Sequence, residues 1–289
     1  MWLVVFLETT PWVWVVVAVC LGLIVGSFLN VVIHRLPIML EREWREHCAE
    51  LNGTAVAAGE PYNLVVPRSR CPHCNHLIHA FDNIPIVSYL VLRGRCRYCA
   101  ARISPRYPIV ELISGVLCGW LAWHFGFTWA AGGALLLTWA LLALAAIDLD
   151  KQLLPDKITL PMLWLGLLFN LGHVFTDLRS AVIGAVAGYL SLWCVYQAFK
   201  LTTGKEGMGF GDFKLFALLG AWLGWQRLPL IILIAAASGA IIGTALIVTR
   251  RSQRGAPIPF GPYLVIAGWI ALVWGTPITH AYFSLWGVA

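Results

Sequence analysis

Two aspartates, Asp148 and Asp212, lie where long apolar segments meet polar sequence. Asp148 ends an apolar run in AAIDLDKQLLPD, and Asp212 begins another in GMGFGDFKL. Ionisable side chains at such positions in an apolar chain are rare and by default mark function. Two carboxylates brought to one face can divide the work of acid and base. We therefore predict a paired catalytic role for these two residues.

Simpler interpretations exist for each acidic residue in the two motifs. Asp212 could only cap the helix that follows it, because an aspartate at that position accepts a hydrogen bond from unpaired backbone N–H groups. Asp148 and Asp150 could be interfacial charges. Asp156 follows a proline and is most economically the N-cap of the next helix. On spacing alone, these interpretations stay open beside the catalytic one.

The two glycines before Asp212 favour the catalytic interpretation. Gly209 and Gly211 form a GxG sequence directly before the aspartate. Glycine permits positive φ and close approach of another backbone. We therefore expect an unwound segment that admits a substrate, which irregular backbone lining a membrane cavity can provide.

Four cysteines form two CxxC motifs, CPHC and CRYC, separated by 21 residues. They are Cys71, Cys74, Cys96 and Cys99. Two such motifs in tandem are typical of a tetrahedral zinc site with four thiolates. A closed shell of four thiolates leaves no open position, so we expect one structural zinc per chain. Disulfides would be unusual in a reducing compartment.

The composition indicates a membrane protein. Of 289 residues, 60% are hydrophobic and 12% are charged, and a soluble domain would carry about twice that charge. A membrane-spanning helix needs roughly 20 apolar residues. We predict an all-α polytopic membrane protein with about eight transmembrane helices. The apolar runs are Pro11–Ile33, Leu112–Ile147 (a helical hairpin), Ile158–Thr176, Ser180–Phe199, Leu215–Gln226, Leu228–Thr249 and a helix from about Tyr263. The Leu215–Gln226 run is too short to span alone.

Basic residues predict the orientation of these helices. Of the 20 lysines and arginines, all but Arg179 and Arg227 fall between 35 and 106, at 151 and 157, between 200 and 214, or between 250 and 254. Eight helices that start from an outside N-terminus place these four groups on one side, which the positive-inside rule makes cytoplasmic. Anionic lipid headgroups are then a sufficient partner for the net charge of +6. We expect no binding of nucleic acid.

The motifs together resemble the type IV prepilin peptidases, which are intramembrane aspartic proteases with a GxGD motif. The resemblance rests on GMGFGDFKL, DLDKQLLPD and the two CxxC motifs. It also includes GSFLNVVIHRLP, RYPIVEL and PIPFGPYL, and it runs from about residue 25 to 269 in the expected order. One departure is visible: leucine and proline at 154 and 155 stand where many relatives have isoleucine and proline.

The resemblance implies a bifunctional enzyme of the bacterial inner membrane. Such enzymes cleave the leader peptide of type IV prepilins and type II secretion pseudopilins at the cytoplasmic face, and members with the zinc-binding loop N-methylate the new N-terminal residue with S-adenosylmethionine. The catalytic pair would be Asp148 and Asp212, with Gly209 and Gly211 completing GxGD. An ionised carboxylate would take a proton from water, and its protonated partner would polarise the scissile carbonyl. Lys214 could bias the pair or hold substrate, although a snorkelling lysine is the simpler interpretation.

The resemblance also divides the chain into three segments. Residues 1–33 would form the first transmembrane helix, 34–107 a cytoplasmic zinc-binding loop associated with N-methylation, and 108–289 the membrane-embedded peptidase. The sequence does not identify the S-adenosylmethionine site, because no GxGxxG fingerprint follows a predicted strand. GSFLN and Arg35 are candidates only through the resemblance, and Gly26 and Ser27 are equally explained by close helix packing.

Two other functional classes fit parts of the pattern. A membrane scaffold could keep the four motif cysteines but would not need both aspartates. A proton-coupled transporter could use the aspartates as a relay, yet it should show corresponding interrupted helices in two repeated halves. No such repeat is visible in the sequence.

Overall fold

A computed structural model describes residues 2–54, 61–249 and 259–285. These residues form α-helices and short 3₁₀ turns, and no β-sheet occurs among them. The α-helices are α1 (Trp2–Thr9), α2 (Pro11–Leu51), α3 (Val87–Val91), α4 (Arg106–Phe125), α5 (Trp129–Lys151), α6 (Asp156–Leu171), α7 (Leu178–Thr203), α8 (Phe210–Leu223), α9 (Leu228–Val248) and α10 (Gly261–Leu285). The all-α prediction is confirmed.

Six helices within the described residues are long and apolar enough to cross a membrane, namely α2, α4, α5, α7, α9 and α10. The other two predicted segments are the shorter helices α6, with 16 residues, and α8, with 14. The chain is therefore a polytopic membrane protein, and the predicted count of about eight is approximate. The basic group at 250–254 lies outside the described residues.

The chain divides into two compact units, Met1–Phe127 and Thr128–Ala289. In the first unit, α2 and α4 pack along a line of small residues. A Cβ on Gly26 would lie 2.8 Å from the Cα of Glu111, and one on Gly22 would lie 2.8 Å from the carbonyl oxygen of Ser114. Small residues let membrane helices approach closely, which explains why α4 groups with α2. The functional division at 107/108 stays a prediction.

Helix α2 continues well beyond the predicted membrane segment. It runs without interruption for 41 residues to Leu51, so it is about 61 Å long at 1.5 Å per residue. The buried Arg35 guanidinium donates hydrogen bonds to the carbonyl oxygens of Asn63 (2.9 Å) and Pro67 (2.6 Å). Arg35 therefore holds the segment before the first CxxC motif against the helix.

In the second unit, the short helix α8 is enclosed by protein. Every residue from Phe213 to Leu223 except Lys214 is buried, and α8 contacts α6, α7 and α10. Glycines make the α7–α8 contact close, because a Cβ on Gly188 would lie 2.7 Å from the carbonyl oxygen of Phe216. A helix surrounded by other helices does not have to match the thickness of the bilayer.

A buried asparagine completes the end of α8. The side-chain amide of Asn170, which has no exposed surface, donates to the carbonyl oxygens of Ala221 (2.9 Å) and Trp222 (3.0 Å). Its own oxygen accepts from the backbone N–H groups of Phe175 and Thr176. The last carbonyls of a helix have no intrahelical partner and need one when water is absent. Asn170 supplies it for the buried last turn of α8.

Candidate functional site

Asp148 lies in the last turn of α5 and is 5% exposed. The N-terminal end of α10 lies directly against it, because a Cβ on Gly261 would be only 2.6 Å from Asp148 Oδ2. The backbone N–H of Gly261 lies beside the carboxylate. Asp148 Oδ2 is buried and has no hydrogen-bond partner among the described residues. A buried carboxylate oxygen without a partner is costly unless a ligand or water uses it.

Asp212 lies in the first turn of α8 and is 8% exposed. The N-cap of this helix is Gly209, not Asp212, so the simple capping interpretation is wrong in its position. The Asp212 carboxylate instead folds back toward this N-cap residue, since a Cβ on Gly209 would lie 3.8 Å from Asp212 Oδ2. Asp212 is the third residue of α8, the position from which a capping-box side chain reaches back toward the N-cap.

Of the two properties expected of Gly209 and Gly211, positive φ and close approach, the structure shows only the second. Gly209 is extended, with φ −78° and ψ 147°, and Gly211 is inside α8, so neither adopts the positive φ that an unwound segment would use. Close approach does hold at Gly211, where a Cβ would lie 2.8 Å from Leu154 Cβ. Any larger residue at position 211 would therefore clash with Leu154.

Packing brings the two aspartates together from α5 and α8. Asp148 is close enough for its charge to act on the Asp212 carboxylate. Leu154 lies in the same region, because it contacts Gly211 and would contact a Cβ on Gly261 at 3.3 Å. Sequence reasoning missed Leu154 and Gly261 as neighbours of the aspartates, although both lie within quoted motifs.

Lys214 points to another acid, not to the aspartate pair. Its ammonium group donates to Asp156 Oδ1 (2.8 Å) and Oδ2 (2.6 Å), which links the start of α8 to the start of α6. Asp156 is the first residue of α6, and the N-cap is Pro155, so the predicted capping role of Asp156 is wrong. Asp150 is exposed on α5. Of the acids in DLDKQLLPD, Asp148 alone is buried beside Asp212.

The aspartate arrangement is suited to acid–base hydrolysis. Two buried carboxylates whose charges act on each other hold a shared proton more readily than two negative charges. The ionised member can accept a proton from water, and the protonated member can donate a hydrogen bond to a carbonyl oxygen. Asp148 Oδ2 is available for either contact, since none of the described residues hydrogen-bonds to it.

The four motif cysteines converge in the first unit. Their sulfur atoms all lie within 4.8 Å of one another, with 3.8 Å between Cys71 and Cys99 and 4.0 Å between Cys74 and Cys96. A tetrahedron with zinc–sulfur bonds of 2.3 Å has sulfur–sulfur edges of about 3.8 Å. The cluster can therefore hold a metal ion, and its donor set and spacing fit zinc.

Two equivalent hairpins present these thiols. In the first hairpin, the N–H of Cys71 donates to the carbonyl of His76 and the N–H of Asn75 to that of Cys71. In the second, the N–H of Cys96 donates to the carbonyl of Ala101 and the N–H of Ala100 to that of Cys96. Each motif thus forms the same tight turn.

Backbone N–H groups also prepare the first hairpin for a metal. The N–H groups of Cys74 and His73 stabilise the Cys71 thiolate and lower the pKa of this thiol, whereas burial and the neighbouring thiols raise the pKa of Cys99. The thiolate is the form that binds metal. Between the hairpins, the His76 ring stacks on Tyr98 with centroids 3.6 Å apart.

The residues suggested for a methyl-donor site have structural partners. Ser27 lies beside the buried carboxylate of Glu111, and Glu111 Oε2 accepts the N–H of Ile86 at 2.8 Å. Ile86 has a φ of 60°, which is unusual for a β-branched residue. Gly26 packs against α4, and Arg35 binds backbone carbonyls. The sequence places Glu111 near a membrane edge but assigns it no role; in the structure it joins α2, α4 and the segment between the hairpins.

Comparisons with known proteins agree with this arrangement. The bacterial peptidase A24 N-terminal domain matches residues 20–125, and the type IV leader peptidase family matches residues 135–244. A protein of Stutzerimonas stutzeri called prepilin leader peptidase/N-methyltransferase is 58% identical over 278 residues, which are 96% of this chain and 96% of that protein. The chain belongs to the type IV leader peptidase family.

Other members of this leader peptidase family are similarly close. Proteins with the same name from Pseudomonas aeruginosa and Aeromonas hydrophila are 56% and 59% identical, with 98% and 95% of both chains covered. No solved structure matches this chain. The peptidase family match contains both Asp148 and Asp212, whereas the N-terminal match contains all four motif cysteines.

Proposed function

We propose that this chain removes the leader peptide from type IV prepilins and N-methylates the residue that cleavage exposes. The main support is the buried pair of Asp148 and Asp212. The chain that carries this pair is 58% identical to a prepilin leader peptidase/N-methyltransferase over nearly its full length. The same relative's name supports an enzyme over the scaffold and transporter alternatives. Type II secretion pseudopilins, which present a similar leader and apolar helix, are proposed as further substrates.

The peptidase reaction would use the aspartate pair and one water molecule. The ionised aspartate takes a proton from the water, whose oxygen forms a bond to the carbonyl carbon of the scissile peptide. The protonated aspartate hydrogen-bonds to the carbonyl oxygen during this attack and then gives its proton to the departing amine. Two carboxylates with one proton between them can complete this cycle without a covalent intermediate.

The site's position suits a substrate that is itself anchored in a membrane. Asp148 ends an apolar helix and Asp212 begins one, so both lie where apolar sequence meets polar sequence. We propose that this is the cytoplasmic face of the bacterial inner membrane, because lysines at 151, 157, 200, 205 and 214 flank the two aspartates in the sequence. A substrate whose own apolar helix lies in the lipid would present the preceding residues to the pair.

The N-terminal unit would supply the methylation function. Cys71, Cys74, Cys96 and Cys99 would hold one structural zinc ion and so fix the two hairpins beside each other. S-adenosylmethionine would donate the methyl group. Residues 34–107 are proposed to carry this function and 108–289 the peptidase.

Cleavage of a purified prepilin in detergent tests the proposal directly. Asp148→Asn and Asp212→Asn should each reduce cleavage by at least about 10²-fold, because the remaining carboxylate has no partner to act as base or acid. Asp150→Asn, which changes an exposed carboxylate on the same helix, is the matched control and should cleave normally. Full cleavage by either of the first two variants would refute the assignment.

Cysteine labelling tests the proposed orientation. A single cysteine in place of Lys205, in the loop before α8, should react with a membrane-impermeant reagent only from the cytoplasmic side. Labelling from the outside alone would place the aspartates on the opposite face and would overturn the proposed route of the substrate.

A further inference from the structure

An arginine lies at the end of α8 opposite to the aspartates. Arg227 ends the 3₁₀ turn Trp225–Arg227 that follows α8. Since α8 has 14 residues, its length separates this turn from the first turn of α8 by about 21 Å. A cavity of about 350 Å³ opens here, lined by Arg227 and by polar side chains of Thr176, Gln226, Thr276, Thr279 and His280. None of these residues belongs to the aspartate site.

Helix α10 holds the Arg227 guanidinium in a defined place. Nη1 donates to the hydroxyl of Thr279 (2.8 Å), and Nη2 donates to that of Thr276 (2.7 Å). Thr279 in turn donates to the carbonyl oxygen of Gly275 at 2.6 Å. A Cβ on Gly275 would lie 3.1 Å from Nη1, so this glycine lets the guanidinium rest on the helix. The charged group is therefore ordered before any ligand arrives.

The charge of Arg227 is not neutralised within the part of the chain that the structure describes. No carboxylate among those residues forms an ion pair with it. Asp177, an acidic residue near this end of the unit, instead caps α7 by accepting the N–H of Ser180 at 2.9 Å. A guanidinium has five N–H donors, and the two threonines use two of them. The cavity thus presents a fixed positive charge with unused donors.

Other groups in the cavity match an anion that carries an apolar part. The Gln226 amide is anchored by a bond to Ser180 Oγ (2.9 Å), and His280 adds a further polar group. Phe175 and Leu223 give the remaining wall an apolar surface. Guanidinium groups bind phosphate oxygens in a bidentate manner, while the apolar wall would suit the glycerol and first methylenes of a lipid.

We propose that this cavity binds a phosphate group, supplied by the headgroup of an anionic phospholipid. Arg227 makes the charged contact, and Thr276 and Thr279 keep its guanidinium facing the phosphate. Binding would neutralise an otherwise uncompensated charge in a partly buried position, and it would join the turn after α8 to α10. The site would therefore stabilise the helix whose other end carries Asp212.

Thermal unfolding of the detergent-purified full chain tests this proposal with three probes: phosphatidylglycerol, diacylglycerol with the same acyl chains, and inorganic phosphate. Phosphatidylglycerol should raise the Tm by about 3 °C or more, because a ligand that binds only the folded state stabilises it. The shift should disappear in Arg227→Gln. The control is Arg179→Gln, in which the shift should persist. Arg179 is exposed and is the other arginine outside the four basic groups.

The remaining outcomes separate the sources of the ligand. A shift with inorganic phosphate that Arg227→Gln abolishes supports the phosphate site and makes the free ion its occupant. An equal shift with diacylglycerol, an undiminished shift in Arg227→Gln, or no shift in the unaltered protein would each overturn the proposal. If Arg227→Gln does not fold, Arg227→Lys replaces it and should need roughly tenfold more phosphatidylglycerol, since a lysine cannot bind in a bidentate manner. Prepilin cleavage is the check that each variant is folded.

Discussion

The cysteine cluster and the aspartate pair are assembled over different distances along the chain. All four thiols come from residues 71–99, and each hairpin is closed by its own backbone hydrogen bonds. The aspartates are 64 residues apart in sequence and come near each other because α10 packs against both α5 and α8. A local site depends on its motif and its metal, whereas a distant pair depends on the packing of the whole unit.

The largest expected effect is the loss of the aspartate pair. Asp148→Asn or Asp212→Asn should reduce prepilin cleavage by about 10²–10⁴-fold, the usual contribution of a positioned acid or base. Metal content and N-methylation of a precleaved pilin should stay unchanged in both variants. A parallel loss of metal would show that the two sites are not built independently.

Loss of one thiolate should have the converse effect. Cys74→Ser should reduce bound zinc from one per chain to well below one, measured by elemental analysis, and should lower methylation more than cleavage. Cys48→Ser is the matched control, because Cys48 is exposed on α2 outside the cluster. Purified, reduced protein that contains no metal would refute the metal site itself.

Packing far from the aspartates should also affect the pair. Gly188→Ala places a Cβ 2.7 Å from the Phe216 carbonyl oxygen, so α7 and α8 must move apart, at a cost of about 1–3 kcal/mol. We expect a lower Tm and slower cleavage with normal metal content.

Gly132→Ala is the control for this substitution. Gly132 lies within α5, and a Cβ there would meet nothing within 4 Å. It should be neutral or stabilising by up to about 1 kcal/mol, since alanine favours a helix more than glycine does. Equal effects of the two substitutions would argue against a pair positioned by close packing.

The smallest effect should come from the Lys214–Asp156 ion pair. Their side chains are 29% and 51% exposed, so water screens the interaction, and Lys214→Ala should cost about 0–1 kcal/mol. Asp156→Ala should have the same effect, and the double variant should be no worse than either single one. A loss of cleavage as large as that of Asp148→Asn would give Lys214 a direct role in the reaction.

The same difference in distance explains what the sequence could predict. The four thiols were identified by spacing alone, because each CxxC motif forms its own turn. The aspartates were identified by their place beside apolar runs, but their neighbours Leu154 and Gly261 were not, since their importance comes from contacts between distant helices. The role of Asn170 at the end of α8 was hidden for the same reason.

The predicted helix boundaries are wrong where a helix continues through polar residues. The charged stretch after Ile33 was read as the start of a loop, yet α2 extends through it, supported by an ion pair one turn apart between Glu41 and Arg45 (3.6 Å). Positions of caps also depend on the backbone, which is why Pro155 and Gly209, not the aspartates after them, begin α6 and α8.

Because α2 is continuous, the directions in which its side chains point around the helix axis are fixed relative to one another along its whole length. Gly22 and Gly26 set the face that packs on α4, and Arg35 projects from the same uninterrupted helix toward its carbonyl partners. Each residue added between these points would turn everything beyond it by about 100° and raise it by about 1.5 Å. The distance from Gly26 to Arg35 is therefore a fixed dimension of the fold, which tolerates exchanges of residue type more readily than changes in length.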